Sequence, residues 1–123
     1  MSALSLQAQK RLASAHNIWF GSVRPDGRPH LVPIWFVLHA DKLYVCTAPS
    51  SVKARNIRQN AHVVLALEDG SEPVICEGRA RCVPAPWPQA VRDRFSAKYD
   101  WDIAPDEQYS LLIEVTPDKW LNW

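Results

Sequence analysis

Hydrophobic positions follow two rhythms along this chain. Near the start, Leu6, Ala8, Leu12 and Ala15 fall on one side of a helical wheel, which predicts a short helix over 5–15 with Leu6 as its staple. From Ile18 the rhythm becomes that of strands. Ile18–Val23 (IWFGSV) is rich in β-branched and aromatic residues and predicts the first. Residues 24–29 (RPDGRP) form a turn in which Pro25 presets φ and Gly27 takes the positive φ. The chain returns through a second strand at 30–39 (HLVPIWFVLH), turns at Ala40-Asp41, and runs through a third at 42–47 (KLYVCT). A loop and a short helix over 51–59 follow, with Ser50 or Ser51 as the N-cap. Strands are expected at 61–67 and 74–83, the latter with Gly78 as a bulge or a point of close approach. A helix over 89–98 carries Val91 and Phe95 four residues apart, and a last strand at 108–115 precedes the tail TPDKWLNW.

Consecutive antiparallel strands with helices only at the crossings predict a mainly β fold, a closed or partly closed six-stranded antiparallel barrel with short peripheral helices, in one domain over 1–123. The second strand is almost continuously apolar, where a half-exposed strand would alternate. Both of its faces are therefore expected to be covered, one by the barrel interior and one by something else. Pro33, which cannot donate to a ladder, fits a seam, a bulge or a ligand contact there.

Composition narrows the function. The 14 basic and 13 acidic residues leave a net charge of +1, which gives no electrostatic reason to expect nucleic acid or an anionic membrane. No stretch approaches the ~20 apolar residues of a membrane span, and no secretory leader is read at the start. Cys46, Cys76 and Cys82 lack the spacing of a disulfide framework or a zinc knuckle and fit reduced thiols in a cytoplasmic protein. His16, His30, His39 and His62 lack metal-ligand spacing, so no metal site is expected. No nucleophile elbow or Cys/His pairing marks a hydrolase. The acidic run Asp100, Asp102, Asp106 and Glu107 reads as a solvated loop.

The sharpest local chemistry is Cys46-Thr47-Ala48-Pro49-Ser50-Ser51-Val52-Lys53. A strand ends in Thr, a serine-bearing loop follows, and a helix opens with Lys in its first turn. Helix N-termini present unpaired N–H groups to anions. Hydroxyls of Thr47 and Ser51 with the Lys53 ammonium would complete a phosphate clamp; the same residues also make an ordinary N-cap with a solvated lysine, and the fragment alone leaves both open. Six tryptophans, with Trp101, Trp120 and Trp123 in the last quarter, supply either packing or flat contact surface. Trp123, close to the end of the chain, is the hardest of them to explain as core.

Taken in order, RPDGRPHLVPIWF, DKLYVCTAPSSVKARNIRQN, EGRARCV, KYDWD and EVTPDKWLNW resemble the pyridoxamine 5′-phosphate oxidase-like, FMN-binding split-barrel family. The resemblance makes the six-stranded antiparallel barrel a split barrel. It implies a dimer with flavin sites at the subunit interface, and an FMN-dependent oxidoreductase using hydride chemistry at flavin N5. Carried over by position, Leu31, Val32, Pro33 and Ile34 would lie along the flavin ring, with His30 beside them among the cofactor-binding residues. Thr47, Ser51 and Lys53 would hold the cofactor phosphate. Val52 stands where relatives often have a second basic residue, a gap for which Arg55 offers compensation. Trp123 and its neighbouring tryptophans would reach the partner's flavin. The Arg-x-His that holds substrate phosphate in true pyridoxamine phosphate oxidases is absent from KWLNW, which argues against vitamin B6 synthesis. The pattern also resembles a subgroup containing reductases that use the deazaflavin coenzyme F-420, for whose acidic tail Arg55 and Arg58 offer a basic track. A non-catalytic flavin- or haem-binding protein is a further reading, with His30 or His62 as axial ligand.

Overall fold

A computed structural model describes residues 4–122. Its elements, in order, are α1 (Leu6–Ser14), β1 (Ile18–Val23), β2 (Pro29–Ile34), β3 (Val37–His39), β4 (Lys42–Thr47), α2 (Val52–Gln59), β5 (His62–Ala66), β6 (Val74–Val83), α3 (Gln89–Tyr99) and β7 (Leu111–Asn122). The strands form one seven-stranded sheet in the order β2-β1-β5-β6-β7-β4-β3, with every pairing antiparallel. β2 and β3 lie at opposite edges, yet only Trp35 and Phe36 join them. So short a link requires the sheet to curl until its edges approach, which makes it a split barrel.

The turn chemistry is as expected. Gly27 has φ 89°, and the β3–β4 turn places Ala40 and Asp41 at φ 50° and 64°. Ser5 and Ser51 cap α1 and α2 by accepting from Ala8 N and Ala54 N. Gly78 sits at a register shift in the β6–β7 pair, where a Cβ would lie 2.5 Å from the Thr116 carbonyl oxygen. Pro117 pairs opposite Gly78 at this irregularity.

The barrel interior is filled by Leu12, Phe20, Phe36, Leu65 and Ile113, among others, with Trp120 closing one side. A second core lies between the outer face of the β4 and β7 region and α3, where Tyr44, Cys46 and Leu112 meet Val91, Phe95 and Ile103. Burial of Val91 and Phe95 carries out the i, i+4 expectation for this helix.

Four expectations change. The strand read over 30–39 is two strands, because Phe36 turns inward at 0% exposure and its backbone groups bond to side chains of α3. This raises the strand number from six to seven. Within the single chain β2 is covered on one face only: as an edge strand it alternates, and Leu31 stands 60% exposed. Residues 116–122 are no tail but continue β7 against β6. Leu6 is 67% exposed and staples nothing.

Candidate functional site

β4 ends at Thr47, and the chain turns through 48–51 into α2. The Thr47 hydroxyl donates to Ser51 Oγ at 3.0 Å, and Ser51 Oγ also accepts from Ala54 N at 3.2 Å. With its oxygen occupied by two donors, the Ser51 hydroxyl hydrogen is free to point outward. Helix α2 is held to the barrel by Asn56, whose side-chain amide donates to Ser22 Oγ at 3.0 Å in a buried contact. Lys53, in the first turn, is half-buried and has no acidic partner among the described residues. Burial draws its ammonium below the usual lysine range. A half-buried cation without a counter-ion lacks compensation that an anion would provide.

Lys53 and Thr47 line an open groove of about 610 Å³. Pro33, Ile34, Trp35 and Cys46 also line it, together with Tyr99, Trp101, Asp106 and Tyr109. The indole of Trp35 stacks on Tyr99 at 4.5 Å between centroids and 4° between planes. Trp101 meets Trp35 edge-on at 5.9 Å and Tyr109 at 6.0 Å. Burial, helped by the Asp106 charge, pushes the Cys46 thiol up to about 12, so it is no nucleophile at neutral pH.

The residues read from sequence separate into groups. Thr47, Lys53 and Pro33 line the groove, and Ser51 is bonded to Thr47. His30 lies within electrostatic reach of Lys53; burial first, then the Arg24 and Lys53 charges, hold its imidazole below the usual range and hence neutral at pH 7. Its Nδ1 is buried without a hydrogen-bond partner. Val32 is half-buried, while Leu31 and Val52 point outward. Arg55 is exposed and does not line the groove, and Arg58 donates to the Pro49 carbonyl at 3.1 Å. Trp123 lies outside the described residues. Trp120 packs in the core.

Sequence reasoning missed the aromatic cluster. Trp35 read as strand interior, and Asp106 as solvated loop. Instead Asp106 Oδ1 accepts from Gln108 N and Tyr109 N at 2.9 and 2.8 Å, and Oδ2 from Trp101 Nε1 at 3.1 Å. The Tyr109 N–H, followed by the Trp101 and Gln108 donors, holds this carboxyl below the usual range. The KYDWD segment held part of the signal, bringing Tyr99, Asp100 and Trp101 to the groove at the end of α3; Trp35, Asp106 and Tyr109 lie outside it. Among the described residues no cluster of His, Cys, Asp or Glu is placed to hold a metal ion, and no helix is long and apolar enough to cross a membrane.

A curled antiparallel sheet whose edge strands are joined by Trp35 and Phe36, with an open groove beside the end of β4 and the start of α2, is a split barrel. Residues 4–123 match the family described as pyridoxamine 5′-phosphate oxidase, and the chain belongs to that family. Three solved structures show the same fold. The conserved hypothetical protein Rv2991 from Mycobacterium tuberculosis is 24% identical, with all of this chain and 84% of that one covered at a TM-score of 0.77. HutZ, a haem storage protein from Vibrio cholerae, is 15% identical over 98% of this chain and 95% of its own, with a TM-score of 0.80. An F420 reductase is 22% identical over 91% and 94%, with a TM-score of 0.71. No curated protein matches the sequence.

Proposed function

We propose that this chain is a flavin-dependent oxidoreductase that works as a homodimer and takes FMN as its cofactor. The observation that carries the reading is Lys53, a half-buried ammonium with no acidic partner, beside a Ser51 hydroxyl left free to donate. Together they suit a phosphate: the lysine supplies charge, and Ser51 and the first N–H groups of α2 supply donors. Thr47 positions Ser51 through its own hydrogen bond. Bound there, the flavin supplies hydride transfer at its N5. The protein's part is orientation, with Pro33, Ile34 and Trp35 lining the groove.

The homodimer is supported by an uncovered apolar face. Outward-facing Leu31 and Pro33 on β2, Trp19 on β1 and Val64 on β5 lie side by side in register. Paired across a two-fold axis, such a face covers itself. Light scattering at micromolar concentration tests this, and a 14.0 kDa monomer refutes it.

FMN titration tests the cofactor. Losing the charge-assisted contact in Lys53→Ala removes about 1.5–3 kcal/mol, raising Kd by about ten- to a hundredfold. Riboflavin, without the phosphate, binds both proteins alike. Equal FMN affinity in both proteins refutes the clamp. The similarity to an F420 reductase supports deazaflavin coenzyme F-420 as a second reading of the same groove. Absorbance separates the cases: a band pair near about 370 and 450 nm for FMN, one near about 420 nm for the deazaflavin, and a Soret band for the haem alternative.

A further inference from the structure

The aromatic cluster of the groove, in which Trp35 contacts Tyr99 and Trp101 and Trp101 contacts Tyr109, differs in chemistry from its lysine. Trp35 is 40% exposed and Tyr109 42%, so two flat faces stand open to solvent. An exposed indole would ordinarily be mobile, but this one is fixed. Tyr99 backs it by parallel stacking, and His16 meets its edge at 5.1 Å. Tyr99 is itself pinned: its hydroxyl accepts from Phe36 N at 2.9 Å and lies 2.8 Å from the His16 carbonyl and 3.0 Å from that of Phe36. Rigid, solvent-facing π surface is preorganised contact area for a planar ring.

Fixed negative charge accompanies it. Asp106 is held in place by its three donors, and its field reaches Cys46, where it helps keep the thiol protonated. Asp100, exposed in the left-handed cap of α3, adds a second carboxylate to the lining. Lys53 is the one lysine of the lining and makes no ring contact among the described residues. Lys98 is 5.3 Å from the Tyr99 centroid but lies outside the lining, donating to the carbonyls of Leu12 and Phe36. Indole faces and carboxylates both attract positive charge, and a ring that is flat and cationic satisfies both.

We propose that this aromatic and acidic part of the groove lining is the substrate pocket of the flavin site proposed above, and that it selects planar, positively charged rings. The face of Trp35 takes the ring, and the carboxylates of Asp106 and Asp100 supply the preference for charge. A neutral ring of equal size keeps the stacking and loses the charge attraction. An anionic one meets repulsion.

The test is calorimetric titration at neutral pH with 1-methylquinolinium, quinoline and quinoline carboxylate, rings of one size and three charges. We expect the cation to bind about three- to tenfold more tightly than the neutral ring, and the anion more weakly than both. Asp106→Asn keeps an acceptor for the backbone donors and removes the charge, so it should bring cation and neutral ring close to parity. Asp100→Asn, on the surface, gives a smaller loss of preference without threatening the fold. Trp35→Leu should weaken both rings. Equal affinity for the three rings, no binding by any, or a cation preference that survives in both Asp variants overturns the proposal; the second outcome is what a dimer covering Trp35 would give. Each titration is run with and without saturating FMN. Charge preference without FMN binding removes the flavin reading alone, and FMN binding without charge preference removes this one alone.

Discussion

Tyr99→Phe is the most informative small perturbation of this structure, because it deletes one oxygen and keeps the ring. That oxygen accepts the Phe36 N–H at 2.9 Å and has a single hydrogen to give, either to the His16 carbonyl at 2.8 Å or to that of Phe36 at 3.0 Å. Phe36 is fully buried, so its N–H has no water to turn to when the hydroxyl is lost. The Phe36 carbonyl keeps Lys98 as a donor at 3.0 Å, and stacking on Trp35 survives. The loss is thus one orphaned buried donor plus one shared hydrogen bond. The first costs about 1–3 kcal/mol and the second about 1 kcal/mol, of which part is recovered by relaxation, leaving about 2 kcal/mol. Urea denaturation reads this as a lower midpoint at unchanged slope, and thermal unfolding as a fall of about 5–8 °C. A change below about 0.5 kcal/mol would mean that the Phe36 backbone is satisfied without Tyr99. It would also remove the reason for regarding Trp35 as fixed.

Gly78→Ala puts a Cβ 2.5 Å from the Thr116 carbonyl oxygen in the longest strand pair, against backbone that has no flexible end to yield. It should destabilise by about 2–3 kcal/mol in the same urea assay, and a neutral result would show that the bulge can reopen. Lys98 carries a pH signature: burial draws its ammonium down to about 8 from 10.5. Between these two values the unfolded chain holds the proton that the folded one has released, so stability rises with pH across this window. The shift corresponds to about 3 kcal/mol at face value; with the side chain near half-exposed, about 1–2 kcal/mol is expected. The difference between wild type and Lys98→Met, followed by urea denaturation from pH 7 to 10, isolates it, and parallel pH profiles would refute it.

Much of this was legible because local chemistry and fold agree. Gly27 in a Pro-Asp-Gly turn, Ser51 before a helix and Gly78 within a strand each have a mechanism that acts over a few residues, and each is found doing what that mechanism requires. The Thr47–Ser51 contact and the Ser51 cap were legible for the same reason, being one strand end and one helix start. The break at Trp35–Phe36 was not. An apolar run such as HLVPIWFVLH has the same rhythm whether it is one strand or two, and the cause of the break, Tyr99 and Lys98, lies more than sixty residues away. The role of Asp106 was hidden similarly, since its donors come from an irregular loop with no period to read.

The break joins fold and site more closely than either does alone. β2 and β3 are the two edges of the sheet, so the pair of residues between them is where the barrel closes. Of these, Phe36 faces the interior core and Trp35 faces the groove. Closing the sheet and presenting the indole are therefore one conformational event, held by α3 through Lys98 and Tyr99. A helix that does no more than cover a hydrophobic face needs only apolar residues such as Val91 and Phe95. The last turn of α3 instead brings an ammonium and a phenol to one backbone segment, at the cost of drawing a lysine half out of water. That cost is hard to explain by closure alone, which Phe36 in the core already favours. It is explained if the position of the Trp35 face matters, because directional hydrogen bonds add to apolar packing in fixing a backbone segment.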